Sequence, residues 1–558
     1  MWVLGICSSH NGAVALLRDG RVQVAIQAER LSRRKREMTP VLKPNAVVQD
    51  CIRYCLDYCG IGISDLDAVA TSTPWKEVGL DLDVLFEGMG AGNTARIRSV
   101  TVPHHLSHAE YAIHYADTDN ALVLVIDGSG TSENTRSALT IKEEEDRPLK
   151  FVQPDQKETI SAYTYDGVAL RLIYRSAFSK TPGVGADNHQ QSIGRLWEWA
   201  SMYTFGDDSE AGKVMGLAGF GDAKVHRDLR IMSLDGEGRL DLRFDKLYEN
   251  FRTPWDRRGD VMDNRHYADL AAHVQDCTNN VLLDLCTLLH ARSGMRDMCY
   301  AGGVALNGLA NEHVIRAGVF EHVFQNGSCE DNGTAIGAAL AAHHMLGGRR
   351  VPEPVTDHYG RLYSGAEIRA CLDRYGLSYE ALTRDAMIAH AAGAIAGGAV
   401  IGWFQGRSEF GPRALGNRSI LANAISDSIK PVLDRKVKKR EPYRPYAPAV
   451  VEERASEYFD LEGTSPVMIR VGRARDGRLP AVTHVDGTAR VQTVSRAAND
   501  RFYDLIQAVG GYTGIPVVLN TSFNVAGEPI VEAPSDAVRT FLYSGMDRLY
   551  IGDFVVSR

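Results

Sequence analysis

The chain of 558 residues lacks the features that mark secreted, membrane-bound or disulfide-stabilised proteins. Its nine cysteines contain no CxxC pair, which excludes a zinc ribbon and a disulfide scaffold. No apolar run is long enough to cross a bilayer, and the mean hydropathy is -0.20. The first residues, MWVLGICSSHNGAV, lack the basic start and cleavage site of an export signal, so we expect a cytoplasmic protein.

An excess of one charge is also lacking. The formal net charge of -8 is spread along the chain, which argues against an extended nucleic-acid surface and favours a small ligand. Two short basic stretches, at residues 33–36 and 436–440, could contact phosphate groups locally. The cysteines Cys51, Cys55 and Cys59 recur at helical spacing, and we interpret them as buried core thiols without a functional role.

The chain is too long for a single hydrophobic core, so we expect at least two domains in an α/β fold. A strand, a Gly/Ser turn and a hairpin occur first in WVLGICSS and AVALLRDGRVQVAIQAE, and again in ALVLVI, residues 127–130 and SALTIKEEEDRPLKFVQ. Such a repeat is similar to the duplicated lobes of actin-like ATPases. Gly347, Gly348, Pro352 and Pro354 then predict a linker at 346–375, between domains at 1–345 and 376–558.

Four side chains could form a metal site. His104 and His108 are four residues apart and share one helix face, while Asp127 follows a hydrophobic strand and Asp331 precedes a helix of small residues. Two imidazoles and two carboxylates suit Fe(II), Mn(II) or Zn(II) and could leave a position for a phosphate oxygen. Alternatively, the histidines only hydrogen-bond at a helix start and the aspartates cap turns.

Two glycine-rich turns are candidates for phosphate binding. Gly302, Gly303 and Asn307 lie between a short strand and a helix, where backbone N–H groups can face an anion. A second turn, SEAGKVMGLAGFGD, offers Lys213 to a phosphate. Each segment could equally be only a turn.

The second domain contains an arginine-rich region with little acidic compensation. We expect it to form an anion pocket, because rigid Pro- and Gly-containing loops present guanidinium forks that suit phosphate or carboxylate. The basic residues are Arg407, Arg413, Arg418, Lys438, Arg440 and Arg444. Asn520, Thr521 and Ser522 follow a strand and could bind a neutral amide-like group. The alternative is a solvated basic face.

Six segments in order resemble the O-carbamoyltransferases of antibiotic and nodulation-factor biosynthesis. They are HHLSHA, GKVMGLAGFGD, AGGVALN, FGPRALGNRSILA, KREPYRPYAP and LNTSFN. The resemblance extends from the first strand to the last residues. It implies a Kae1-like actin-like ATPase (ASKHA) domain at 1–345 and a YrdC-like domain at 376–558.

The resemblance also implies roles for individual residues. It implies an iron site at His104, His108, Asp127 and Asp331, and a transfer-site histidine at His10. It places carbamoyl phosphate at Arg413, Arg418, Lys438, Arg444 and the turn Asn520, Thr521 and Ser522. Adenylate contacts are implied near Gly128, Gly302, Gly303 and Asn307. One departure is Asn11, where the family usually has aspartate.

The implied reaction has two stages. Carbamoyl phosphate and ATP with Mg give carbamoyl adenylate in the second domain, and the first domain passes the carbamoyl group to a hydroxylated macrolide, aminoglycoside or glycoside. No nucleic-acid or membrane partner is expected, and a homodimer stays open. The alternatives are a tRNA threonylcarbamoylation enzyme, for which no basic strip is visible, and an actin-like small-molecule kinase, which would leave the arginine-rich domain unexplained.

Overall fold

A computed structural model describes residues 1–73, 80–90, 92–131, 156–179, 191–251 and 261–558. The chain divides into two compact units. Unit 1 comprises Met1–Gln23 and Met38–Pro354, and unit 2 comprises Val24–Glu37 and Val355–Arg558. The α/β class expected from the sequence is confirmed by helices alternating with strands in both units.

Strands and helices alternate along the first 345 residues. The strands are β1 (Trp2–Cys7), β2 (Ala13–Arg18), β3 (Arg21–Gln27), β4 (Ala68–Thr73), β5 (Arg98–Pro103), β6 (Ala121–Ile126), β7 (Gln156–Tyr165), β8 (Leu170–Ser179), β9 (Met232–Leu234), β10 (Leu240–Leu242), β11 (Asp297–Ala301) and β12 (His322–Gln325). The helices are α1 (Ala28–Ser32), α2 (Ala46–Cys59), α3 (Leu82–Leu85), α4 (His104–His114), α5 (Ile193–Phe205), α6 (Ala211–Ala218), α7 (Phe244–Asn250), α8 (Arg265–Ser293), α9 (Gly308–Arg316) and α10 (Gly333–Met345).

Two five-stranded sheets share one strand order. The first sheet runs β3-β2-β1-β4-β5 and the second runs β8-β7-β6-β11-β12. The central strand of the first sheet, β1, pairs antiparallel with β2 and parallel with β4. The central strand of the second sheet, β6, likewise pairs antiparallel with β7 and parallel with β11. The hairpin predicted at 137–153 lies outside the described residues, and β7 and β8 form the hairpin of the second sheet. The repeat predicted from the sequence is therefore present as a repeated topology.

Helix α10 packs closely because its sequence, GTAIGAALAAHHM, is rich in small residues. A Cβ on Gly337 would lie 1.7 Å from the carbonyl oxygen of Ser107 in α4. A Cβ on Gly5 in β1 would lie 1.9 Å from the carbonyl oxygen of Ala335. Glycine is thus required at both positions by the close approach of backbone to backbone. This packing fixes where the start of α10 lies relative to α4.

The remaining elements build unit 2. Its strands are β13 (Glu380–Ala381), β14 (Ile401–Phe404), β15 (Arg418–Asn423), β16 (Ala447–Val451), β17 (Phe459–Asp460), β18 (Arg470–Ala474), β19 (Thr488–Val494), β20 (Val517–Ser522), β21 (Arg548–Ile551) and β22 (Phe554–Ser557). Its helices are α11 (Gly365–Arg374), α12 (Arg384–Ala396), α13 (Ile429–Val432), α14 (Ala455–Tyr458), α15 (Asp500–Thr513) and α16 (Pro534–Tyr543).

These strands form one mixed sheet in the order β13-β22-β21-β14-β15-β20-β16-β19-β18-β17. Strand β15 is antiparallel to β14 and β20, β16 is antiparallel to β20, and β19 is parallel to β16. The ends of β14 and β20 therefore lie at the same sheet edge as the starts of β15, β16 and β19. The loops that carry Arg407, Arg413, Arg440 and Arg444 lie at this end of the sheet.

The predicted linker at 346–375 contains the point at which the two units divide, but it extends too far into unit 2. The units divide between Pro354 and Val355, within the predicted range of 346–375. Helix α11 occupies the end of that range, and its Ile368 and Leu372 are buried in a core cluster of unit 2. That part of the predicted linker therefore belongs to unit 2, as does the segment Val24–Glu37. Among the described residues, no helix is long and apolar enough to span a bilayer.

Candidate functional site

The four predicted metal ligands meet in unit 1. One ligand atom from each of His104, His108, Asp127 and Asp331 lies within 4.8 Å of the others, and all four side chains are buried. Nε2 of His104 is 3.5 Å from Oδ2 of Asp127 and 3.4 Å from Oδ1 of Asp331. Nε2 of His108 is 3.8 Å from the same Asp331 oxygen. We call these residues the His/Asp cluster.

The His/Asp cluster fits a divalent cation. Within the described part of the chain, Nε2 of His104 and both ring nitrogens of His108 are buried without a hydrogen-bond partner. Buried polar atoms are costly unless they are paired or coordinate a metal. Two imidazole nitrogens and two carboxylates form the donor set used for Fe(II), Mn(II) and Zn(II). The donor atoms therefore meet the chemical requirement for a metal. A role in starting a helix or capping a turn would not explain why these buried ring nitrogens have no hydrogen-bond partner.

Neighbouring groups orient the ligand side chains. Nδ1 of His104 lies 3.2 Å from Oγ of Ser72, the backbone N–H of Gly303 donates to Oδ1 of Asp127 at 3.0 Å, and Oγ of Ser9 donates to Asp331. Such outer contacts fix ring and carboxylate orientation at metal sites. The serines were not identified from the sequence, because nothing in their spacing relates them to α4 or α10.

Charge in the His/Asp cluster is unevenly distributed. Burial opposes protonation of His104, but Asp331 and Asp127 outweigh it and raise its pKa to about 10. Burial and the neighbouring His104 lower the pKa of His108 to about 4. Burial would raise the pKa of Asp331, yet His10 and His104 lower it to about 2. The carboxylates are therefore ionised at neutral pH, as metal ligands must be.

His10 lies at the exposed side of this cluster. Its Nδ1 is 3.4 Å from Oδ2 of Asp331, and that carboxylate raises the pKa of His10. Asn11 has a φ of 58°, a left-handed conformation that asparagine tolerates well. Its amide donates to Glu330 at 3.1 Å. An aspartate at position 11 would place a second carboxylate against Glu330. The carboxylate of Glu330 therefore favours the side-chain amide of Asn11, which can donate a hydrogen bond to it.

The predicted glycine turns lie beside Asp127. Gly302 has a φ of 93°, and a Cβ there would lie 2.2 Å from the carbonyl oxygen of Ile126 at the end of β6. Gly128 follows Asp127 directly, so Gly128, Gly302 and Gly303 are close together. Asn307 caps α9 by accepting from the N–H of Ala310 at 3.1 Å. Its side chain thus has a structural use in addition to any ligand contact.

Lys213 lies on α6 in the described structure. Its Nζ is 3.1 Å from Oε1 of Glu210 and lies 5.7 Å from the centre of the Phe205 ring. The ion pair with Glu210 neutralises the positive charge that we expected from the sequence to contact a phosphate. The role of Lys213 as a nucleotide ligand stays a prediction.

Lys438 is a buried basic side chain of the second predicted site. It ends a π-helical turn, Leu433–Lys438, and is 6% exposed. Its Nζ donates to the carbonyl oxygens of Ser522 and Asn524 at 2.7 and 3.0 Å, and to Oδ1 of Asn524 at 2.6 Å. Single π turns inside helical segments occur frequently at functional sites. These hydrogen bonds connect the residue directly before the KREPYRPYAP segment to the LNTSFN segment.

Two guanidinium groups, those of Arg440 and Arg444, lie near Lys438, and together with Arg413 and Arg490 we call these residues the basic cluster. Burial, with Arg440, Arg444 and Lys35, holds the pKa of Lys438 well below that of an ordinary lysine. Burial, with Arg413, Arg440 and Arg444, likewise lowers the pKa of Arg490. Arg440 pairs with Asp434 at 3.4 Å and stacks on Tyr446, whereas Arg444 has Glu441 at 3.7 Å. The cluster holds more cations than carboxylates.

Arg490 was missed in the sequence. Its Nε is buried without a hydrogen-bond partner in the described part of the chain. It lies in strand β19 within TARVQTV, where an arginine between alternating apolar residues predicts only a solvent-facing position. Because β19 starts at the same edge as β16, the fold brings Arg490 to the basic cluster. An anion is the chemical species that would satisfy these guanidinium groups.

Other predicted pocket residues build the loops. Arg418 is fully buried, lies 3.6 Å from the centre of the Phe404 ring and donates to the carbonyl oxygens of Gln405 and Gly406. The amide of Asn520 donates to the carbonyl oxygen of Ala414 at 3.0 Å, next to Arg413. Thr521 lies in β20 opposite Ile420. Arg418 and Asn520 thus hold the pocket loops in shape.

Glu409 is a further residue that the sequence did not indicate. Its Oε1 accepts from the backbone N–H groups of Leu415, Asn417 and Arg418 at 2.6, 2.9 and 3.3 Å. The side chain is 1% exposed. A buried carboxylate that accepts several backbone N–H groups fixes the loop between residues 409 and 418, which carries Arg413.

Comparisons with known proteins agree on one family. Residues 84–340 match the family described as carbamoyltransferase N-terminus, and residues 392–558 match carbamoyltransferase C-terminus. Nodulation protein NolNO of Sinorhizobium fredii is 34% identical over 98% of this chain and 79% of its own length. The 3'-hydroxymethylcephem-O-carbamoyltransferase of Streptomyces clavuligerus is 28% identical over 99% of this chain and 98% of its own length. Similarity to solved structures is low: HypF of T. kodakarensis is 13% identical, with a TM-score of 0.40 over 62% of this chain and 48% of that one.

Proposed function

The chain belongs to the carbamoyltransferase family of enzymes, and we propose that it transfers the carbamoyl group of carbamoyl phosphate, through carbamoyl adenylate, to a hydroxyl group of a small natural product. The observation that carries this proposal is the basic cluster in unit 2. Arg440 and Arg444 lie near both Lys438 and Arg490, Arg413 lies near Arg490, and these cations outnumber the nearby carboxylates. Such a site suits a compact anion of high charge.

The first stage takes place in unit 2. Water cleaves carbamoyl phosphate into carbamate and phosphate, and a carbamate oxygen attacks the α-phosphorus of ATP. The bond from the α-phosphorus to the bridging oxygen breaks, which yields carbamoyl adenylate and pyrophosphate. The guanidinium groups of Arg413, Arg444 and Arg490 neutralise the negative charge of the phosphate. Asn520 and Ser522, at the end of β20, keep the loops around this anion in place.

The second stage takes place in unit 1. The acceptor hydroxyl attacks the carbamoyl carbon, its proton passes to a ring nitrogen of His10, and AMP leaves with the electron pair of the broken bond. The position of His10 beside Asp331 supports its assignment as general base. His104, His108, Asp127 and Asp331 would hold a divalent ion, which we propose to be Fe(II). When bound, the ion supplies Lewis-acid polarisation of an oxygen that carries developing charge.

The domain assignment follows from the same proposal. The repeated strand order of the two sheets in unit 1 supports a Kae1-like domain at 1–345, with Gly128, Gly302 and Gly303 near the nucleotide. The family match at 392–558 supports a separate adenylate-forming domain, YrdC-like, at 376–558. The acceptors proposed are hydroxylated macrolides, aminoglycosides and glycosides. The relative named 3'-hydroxymethylcephem-O-carbamoyltransferase supports a small hydroxylated molecule as the acceptor.

Product analysis tests the proposal. The protein is incubated with carbamoyl phosphate, ATP, Mg and a panel of hydroxylated macrolides, aminoglycosides and glycosides. We expect an acceptor heavier by one carbamoyl group, with AMP and pyrophosphate formed in step. Omission of carbamoyl phosphate is the control and should abolish all three products. Formation of ADP with a phosphorylated acceptor would show a kinase and refute the proposal.

A further inference from the structure

The basic stretch at residues 33–36 lies in the segment Val24–Glu37, which belongs to unit 2. Arg33 follows helix α1 as its C-cap and has a φ of 61°, a left-handed conformation in which glycine is the usual residue. A side chain retained at such a position costs some stability. The side chain of Arg33 therefore has a use that glycine could not provide.

The guanidinium of Arg33 spans two carbonyl groups. Nη1 donates to the carbonyl oxygen of Ile530 at 2.7 Å, and Nη2 donates to that of Pro529 at 2.8 Å. The side chain is 21% exposed, and Asp536 lies 3.9 Å from its Nε. This two-pronged contact requires a planar fork, which lysine lacks. Arg33 thus fixes the loop that follows β20.

The same loop holds Lys438. The side-chain amide of Asn524 donates to the carbonyl oxygen of Glu528, beside Pro529. The other end of that amide, Oδ1, accepts from Nζ of Lys438 at 2.6 Å, and the backbone oxygen of Asn524 accepts at 3.0 Å. A continuous set of hydrogen bonds and peptide links therefore runs from Arg33 to the amine of Lys438.

Helix α1 also contacts the second loop of the basic cluster. Arg30 is 1% exposed and donates from Nη2 to the carbonyl oxygen of Gly411 at 2.6 Å. Oδ2 of Asp357 accepts from the N–H of Gly411 at 2.8 Å. Gly411 lies two residues before Arg413. One helical turn thus contacts the loops that carry Arg413 and Asn524.

We propose that Arg33 is a positioning residue for the carbamoyl phosphate pocket, acting through the loop 524–530 on Lys438. Arg30 supports the Arg413 loop from the same helix. The identity of the anion rests on the function proposed above, but the positioning link does not. The segment 24–37 is therefore part of the adenylate-forming site, although the chain places it far before the rest of unit 2.

Kinetics of the full chain test the link. In carbamoyl phosphate-dependent exchange of pyrophosphate into ATP, Arg33→Gln should raise the KM for carbamoyl phosphate about tenfold, the scale of a lost charge-assisted hydrogen bond. The kcat and the KM for ATP should change less than about twofold, because the proposed link affects only how tightly carbamoyl phosphate is bound. Arg33→Lys should recover part of the loss. The matched control is Arg34→Gln, which removes the same charge from an exposed neighbour.

Hydrogen exchange of the ligand-free protein gives a second measurement. Arg33→Gln, but not Arg34→Gln, should accelerate exchange of the amides at 525–531. A lower kcat with unchanged KM, or faster exchange with unchanged KM, would make Arg33 only a structural residue and overturn the proposal. If the wild type shows no carbamoyl phosphate-dependent activity, the proposed function fails. Affinity for inorganic phosphate then replaces KM, and an affinity equal in Arg33→Gln and wild type overturns the link.

Discussion

Lys438 combines two properties that determine how the basic cluster responds to pH. Its amine is enclosed by oxygen atoms of Ser522 and Asn524, and arginines lie nearby. Burial and these cations lower the pKa of Lys438. Its amine therefore loses its proton at a lower pH than an ordinary lysine, whose pKa is about 10.4. Loss of that proton removes positive charge from the pocket.

We predict that anion affinity falls as pH rises through this lowered pKa. Sulfate is a suitable probe because it stays a dianion over the whole range. Calorimetric titration should show about tenfold weaker sulfate binding to the wild type above the pKa than below it, on the scale of one charge-assisted hydrogen bond. Lys438→Met should bind weakly with a flat profile over the same range. The same pH dependence in both proteins would exclude Lys438 as its source.

Arg444 is predicted to bind the phosphate of carbamoyl phosphate with both prongs of its guanidinium. Arg444→Lys keeps the charge and loses the fork, which should weaken carbamoyl phosphate use by about 1.5 to 3 kcal/mol. The measurement is the KM in the pyrophosphate exchange assay. Arg435→Lys, an exposed position on the preceding turn, is the control. An unchanged KM and turnover in Arg444→Lys would assign Arg444 a structural role.

His108→Ala is predicted to separate the two stages of the reaction. The variant should lose bound metal, measured by elemental analysis, and transfer activity by at least about tenfold. Pyrophosphate exchange should persist, because the basic cluster lies in unit 2. His114→Gln on the same helix, where His114 contacts Glu353 at 3.1 Å, is the control. Loss of both activities in His108→Ala would contradict the division between units.

At the scale of secondary structure, α4 and α10 determine whether the His/Asp cluster forms. Helix α4 begins at His104, and Asp331 lies two residues before α10 begins at Gly333. The helices approach through Gly337, where a Cβ would lie 1.7 Å from the carbonyl oxygen of Ser107. Their spacing therefore sets the distance between the imidazoles and Asp331.

We predict that Gly337→Ala separates these helices. Overpacking at a backbone contact should destabilise the protein by about 1 to 3 kcal/mol and lower its metal content after dialysis. Thermal unfolding and elemental analysis measure the two effects. Gly212→Ala in α6 is the control, because a Cβ there meets nothing within 4 Å. Equal metal content in both variants would mean that the helix spacing does not control the site.

The elements also show what the sequence could predict. His104 and His108 were recognisable because helical spacing places them on one face, and Asp127 because it ends a buried strand. Their convergence depends on packing at Gly337, which spacing alone does not contain. Arg490 was missed because a strand pattern does not reveal which strand starts share an edge. Glu409 was missed because its backbone partners are defined only by the folded loop.

At the scale of the whole molecule, the two units contain different chemistry. Unit 1 holds the buried His/Asp cluster and unit 2 holds the basic cluster. The turn residues Gly347, Gly348, Pro352 and Pro354 lie directly before the division between the two compact units at Val355. The inclusion of Val24–Glu37 in unit 2 was not predictable, because it depends on contacts such as that between Arg33 and Ile530, which lie far apart in the chain.

Unit 2 is proposed to make carbamoyl adenylate. The most direct test is exchange of labelled pyrophosphate into ATP by the full chain without an acceptor. We expect exchange that requires carbamoyl phosphate, because pyrophosphate attacks carbamoyl adenylate in the reverse step and that adenylate forms only from the carbamate that carbamoyl phosphate supplies. Exchange that is independent of carbamoyl phosphate, or release of ADP in place of pyrophosphate exchange, would show that unit 2 does not make carbamoyl adenylate.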